Sequence, residues 1–86
     1  MTRFADRSRV VPDGLGIRRR RRERGWSQRD LVRAICDAHE RATGRRIAFN
    51  LNLLHHVEQD CEPVDYATVV LVAAGLGCEP VELVAD

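Results

Sequence analysis

The sequence predicts an all-α fold, a compact bundle of about five short helices, and three observations carry that reading. Cap-forming residues and glycines recur at intervals that mark helix starts and stops. Between them, apolar residues repeat at spacings of three and four, and no stretch alternates with the period of two that a half-buried strand requires. Aromatic residues make up only 5% of the chain, which leaves Ala, Val and Leu to fill a core between small helices. Eighty-six residues make one domain, and a chain of this size buries only about 60–65% of its unfolded surface.

Residues 1–12 read as a flexible N-terminal arm, polar, bearing Arg3, Arg7 and Arg9 and ending at Pro12; residues 13–86 read as the folded domain. Asp13 is the predicted N-cap of a helix over 14–24, which Gly25 ends. Ser27 caps a second helix that begins at Gln28, carries Leu31, Ile35, Ala38 and Ala42 on one stripe with Ala34 beside it, and stops at Gly44. Residues 45–49 form a loop. Asn50 caps a third helix running to about residue 60, with Leu54 and Val57 inward and Phe49 stapled to Leu54. After a loop around Pro63, Asp65 caps a fourth helix over 66–74, with Val69, Val70 and Ala73 buried and Gly75 and Gly77 ending it. Pro80 suits the first turn of a short fifth helix, whose Val81, Leu83 and Val84 close the core.

The charge is divided along the chain. Residues 1–46 hold all fourteen arginines against six acids, a balance of +8, whereas residues 47–86 hold seven acids and no Lys or Arg. A domain polarised in this way presents a basic face to a polyanion, and nucleic acid is the commonest one. Other classes are excluded by what the sequence lacks. The longest apolar run, residues 69–76, is far short of the roughly 18 residues of a membrane span, and there is no apolar leader. The protein is expected to be cytoplasmic, without a membrane partner.

Cys36, Cys61 and Cys78 are odd in number and widely spaced, as reduced thiols are. Cys36 and His39 have C-x-x-H spacing, but His55, His56 and Cys61 complete no recognised ligand pattern, so neither metal nor other cofactor is expected. No Gly-rich phosphate loop, paired carboxylates or nucleophile–base spacing suggests an enzyme.

The stretch Gly25-Trp26-Ser27-Gln28-Arg29-Asp30-Leu31 resembles the G-[apolar]-S-Q-x-x-L signature of the phage-repressor (Cro/CI-type, XRE-like) helix-turn-helix family. Leu54-x-x-Val57-Glu58 looks like that family's I-x-x-[apolar]-E, and the segment 63–84, with Ala73, Leu76-Gly77 and Pro80-Val81-Glu82-Leu83, looks like its ending. The likeness covers residues 15–84. It implies a lambda-repressor-like domain acting as a small repressor-type transcriptional regulator. Its partner would be double-stranded DNA, bound by a homodimer on half-sites about 34 Å apart, with no small-molecule substrate. By position, Leu51, Asn52 and His55, flanked by Asn50 and His56, would read bases from the major groove, and Ser27, Gln28 and Arg29 would meet phosphates. Glu58 would pair with Arg21 of the first helix.

Two departures stand out. Cys36 replaces the family's turn glycine, so the second helix is expected to continue to Gly44. Ser27 and Asn50 then lie 23 positions apart, against about 11 in the family motif. The added stretch carries Arg41, Arg45 and Arg46, three further phosphate candidates. Arg20 stands where the family has an apolar residue; the run 18–22 covers all faces of a helix, so at least one of its arginines is expected to pack its stem over the core while the guanidinium reaches solvent. A second functional reading, a protein-interaction module of antitoxin or cofactor type on the same fold, rests on Leu51 and Leu53 in the uncharged third helix and on the acidic second half.

Overall fold

The first three helices each start where a side chain satisfies a backbone N–H group that would otherwise lack a partner. The computed structural model describes residues 9–85 and contains α1 (Gly14–Glu23), α2 (Gln28–Thr43), α3 (Leu51–Gln59) and α4 (Tyr66–Leu76). Asp13 Oδ1 accepts from the Gly16 N–H at 3.0 Å, and Asn50 Oδ1 accepts from the Leu53 N–H at 2.9 Å. At α2 the arrangement is reciprocal: Ser27 Oγ accepts from the Asp30 N–H at 3.1 Å, while the Asp30 carboxylate accepts from the Ser27 N–H at 2.9 Å. Gly44 (φ 77°) ends α2 in the left-handed conformation, the strained geometry that Cys36 avoids by staying helical.

The structure corrects several expectations. Among the described residues there are four α-helices, and the expected fifth, Pro80–Leu83, is a single 3-10 turn. It cannot lengthen because Val84 is extended and bridges Pro12, with the Ala85 N–H donating to the Val11 carbonyl at 2.8 Å. Val81 of that turn is 72% exposed rather than in the core, which Leu83 fills. Arg9 and Val10 of the expected arm form β1 (Arg9–Val10), which pairs antiparallel with β2 (Val64–Asp65), Arg9 opposite Asp65. Two-residue strands are too short to show a period of two. Arg3 and Arg7 lie outside the described residues. Asp65 makes no side-chain cap to α4, since it belongs to β2. On α4, Val69 and Ala73 are buried as expected, but Val72 joins them in place of Val70, which is 40% exposed. On α2, Leu31 and Ile35 are buried, but Ala42 at the end of the expected stripe is exposed. The arginine of the run that lies over the core is Arg21, whose guanidinium stays buried instead of reaching solvent, while Arg20 donates to Glu82 at 3.2 Å.

Two glycines set how closely the helices approach. Gly75 does not end α4 but lies within it, where a Cβ would stand 2.6 Å from Ile35 Cγ1 and 3.0 Å from the Ile35 backbone of α2. Gly14, at the start of α1, faces the backbone of α3: a Cβ there would lie 2.2 Å from the Glu58 carbonyl oxygen. These contacts let Ile17, Ile35, Leu54, Val57 and Leu76 close a shared core, each fully or almost fully buried. Full burial of such a side chain stabilises the fold by about 1.5–3 kcal/mol.

Gly14→Ala would force α1 away from α3. The expected cost is about 1–3 kcal/mol in chemical denaturation, and an unchanged midpoint would show that α1 accommodates the methyl without moving.

Candidate nucleic-acid interface

Glu58 is 3% exposed near the C-terminal end of α3, where an isolated carboxylate would be costly. Its partners come from two other helices. Arg21 of α1 binds it in bidentate fashion, Nε to Oε2 at 2.8 Å and Nη2 to Oε1 at 3.0 Å. Gln28 of α2 donates from Nε2 to Oε1 at 3.1 Å, and Arg18 Nε lies 4.0 Å from the same oxygen. Arg21 also donates from Nη1 to the Trp26 carbonyl at 3.0 Å, which fixes the turn between α1 and α2. The expected Arg21–Glu58 pair is therefore present, with Gln28 added to it.

The stretch between α2 and α3 does not separate their N-terminal ends. The Thr43 hydroxyl donates to the His39 carbonyl at 2.8 Å and accepts from the Arg45 N–H at 3.1 Å, which pins the start of the connector. The connector then turns back along α2. The carbonyls of Ile47 and Phe49 lie 4.0 and 3.8 Å from Cys36 Sγ, and Phe49 enters the core at 6% exposure. Leu51, the first residue of α3, shares one shallow recess with Arg21, Arg22, Ser27, Gln28 and Arg29, and a second with Arg29, Val32 and Arg33.

Arginines dominate the surface around this junction. A third recess, lined by Leu15, Arg18, Arg19, Arg22 and Glu23, shares Arg22 with the first, so the basic surface is continuous from α1 across α2 to the start of α3. Among the described residues, Arg19, Arg22, Arg29 and Arg33 form no salt bridge; the pairs present are made by Arg9, Arg18, Arg20, Arg21 and Arg46, together with His56. Cations left unpaired on an exposed surface are free to meet an external anion.

The base-reading candidates divide by what their side chains already do. Asn50 is occupied as the N-cap of α3. His56 is half-buried and its Nδ1 contacts the Asp60 carboxylate one turn on. Leu51 is half-buried in the recess, whereas Asn52 and His55 are exposed on the outer face. Gln59 is also exposed and follows at the i, i+3, i+7 spacing of that face, a periodicity legible in the sequence. Of the phosphate candidates, Ser27 and Gln28 are engaged in capping and in holding Glu58, Arg29 borders Leu51, and Arg41, Arg45 and Arg46 are exposed at the far end of α2 and in the connector. Sequence reasoning missed Arg22 and Arg33, whose place beside Leu51 depends on the path of the connector. No group of three or more His, Cys, Asp or Glu residues is disposed to hold a metal ion among the described residues, and none of their helices is long and apolar enough to cross a membrane.

Comparison with protein-family models, with curated proteins and with solved structures returns no match for this chain.

Replacing Glu58 with Gln leaves the Arg21 cation buried without a counter-charge. A loss of about 3–5 kcal/mol is expected from thermal or urea unfolding followed by circular dichroism, and wild-type stability would remove the pair from its structural role. The Asp30 carboxyl is held below its ordinary pKa, first by the Ser27 N–H and then by the Ser27 hydroxyl. A lowered folded-state pKa means the capping contribution is complete above the ordinary carboxylate value and fades as pH falls through the lowered one. Carboxyl NMR titration should find Asp30 below the usual range and only part of the way back in Ser27→Ala, which keeps the stronger backbone donor. An Asp30 value at the ordinary level in the wild type would contradict this.

Proposed function

We propose that the chain is a sequence-specific DNA-binding regulator of the helix-turn-helix kind, similar to small Cro/CI-type repressors. The observation that carries this reading is the junction of the α2 and α3 N-terminal ends, bordered by the unpaired Arg22, Arg29 and Arg33. Helix N-termini and arginines favour phosphates, while the exposed face of α3 offers the uncharged Asn52, His55 and Gln59. Asn and Gln pair with adenine edges, and His donates to or accepts from purines. In this reading α3 enters the major groove, Arg22 of α1 and Arg29 and Arg33 of α2 meet the backbone, and a homodimer occupies a two-fold site. The alternative, a protein-interaction module, is favoured less because Leu53, one of its two motivating residues, packs against the core.

Selection of bound sequences from random double-stranded DNA tests the proposal. The wild-type protein should enrich a defined site. Asn52→Ala and His55→Ala should each relax preference at one position by about 1–3 kcal/mol and leave the fold intact. Failure to enrich any sequence at low salt would reject the reading, and salt-resistant capture of one defined protein would favour the alternative.

A further inference from the structure

The connector between α2 and α3 touches α2 at successive points along one side. Leu51 lies beside Arg29, Val32 and Arg33; the carbonyls of Phe49 and Ile47 lie beside Cys36; and Arg46 Nε lies 3.7 Å from Glu40 Oε1. It therefore runs antiparallel to α2. At about 100° per residue, Arg29, Arg33, Cys36 and Glu40 fall within about 60° of one meridian of the helix. Arg46, tied to Glu40, stands on that meridian about 16 Å from Arg29, whereas Arg41 is turned about 120° from Arg29.

We propose that this side of α2 and the connector form one phosphate-tracking strip, Arg29, Arg33, Arg45 and Arg46, which lies along the backbone of duplex DNA beyond the bases read by α3. The inference rests on the DNA-binding reading above. The strip's far end reaches about five base pairs past its near end, at 3.4 Å of rise per pair. Arg45 makes no salt bridge among the described residues, and the Arg46 side chain is 89% exposed, so its pair with Glu40 yields readily to a phosphate. Asp37, the other exposed acid on this part of α2, falls between the meridians of Arg33 and Arg41 and so borders the strip rather than interrupting it. The added dozen residues thus lengthen the backbone contact and leave the α2–α3 junction in place.

The test uses the full chain and random-sequence duplexes of about 12 and about 25 base pairs, with affinity measured across a salt series. The wild-type protein should show a steeper salt slope on the longer duplex. Arg45→Ala with Arg46→Ala should lower the long-duplex slope by about 1.8, two phosphate contacts at about 0.9 each, and make the two duplexes alike. Arg41→Ala should behave as wild type. A double variant with the wild-type slope, or an Arg41→Ala loss equal to that of the double variant, overturns the strip while DNA binding stands. Absence of wild-type binding to either duplex at low salt overturns both the strip and the function it rests on.

Discussion

A single buried carboxylate fixes the relative positions of the three helices that carry the basic surface. Glu58 sits where ionisation is unfavourable unless several donors converge on it, and those donors come from Arg21 on α1 and Gln28 on α2. Other features follow from that convergence. Gly14 must lack a side chain because Arg21 reaches Glu58 only if α1 lies against the α3 backbone. Arg21 holds the Trp26 carbonyl with its remaining nitrogen, so the turn that delivers Ser27 and the α2 N-terminus is tied to the same contact. Removing one partner strands a buried charge, which is why such a contact constrains geometry more than it adds net stability.

This constraint also sorts the arginines. Arg21 is consumed internally and Arg20 is drawn to Glu82, while Arg22, Arg29 and Arg33 remain on the surface around Leu51. A run of five consecutive arginines cannot face one way on a helix. The fold assigns Arg21 to the interior with Arg18 beside the same carboxylate, gives Arg20 to an acid of the C-terminal turn, and leaves Arg19 and Arg22 outward. Of the acids of the second half, Asp60, Glu62, Asp65, Glu79 and Glu82 lie outside the α-helices and Glu58 is buried, so the near-neutral start of α3 borders a positive surface despite belonging to the acidic half of the chain.

Helix starts were the most legible part of the fold. Asp13, Ser27 and Asn50 cap because each offers an oxygen two or three residues before an unpaired N–H, a relation contained in the local sequence. The same logic failed at Asp65 and at residues 9–12, where pairing between segments more than fifty residues apart decides the conformation. Gly75 misled for a related reason: glycine signals a helix end locally, yet here it permits α4 to press on Ile35. In the candidate site, the Arg21–Glu58 pair was legible from motif spacing. The engagement of His56 with Asp60, and the exposure of Gln59 beside Asn52 and His55, needed only the helical period.

The sequence by itself determined the presence of α1 to α4, the caps of α1, α2 and α3, and a division of charge, because these depend on neighbours within about one helical turn. Only the tertiary structure decided that the connector following the lengthened α2 returns along it and sets Leu51 beside Arg29 and Arg33. That outcome depends on burying Phe49 and satisfying Glu58 at the same time, and both need partners distant in the chain.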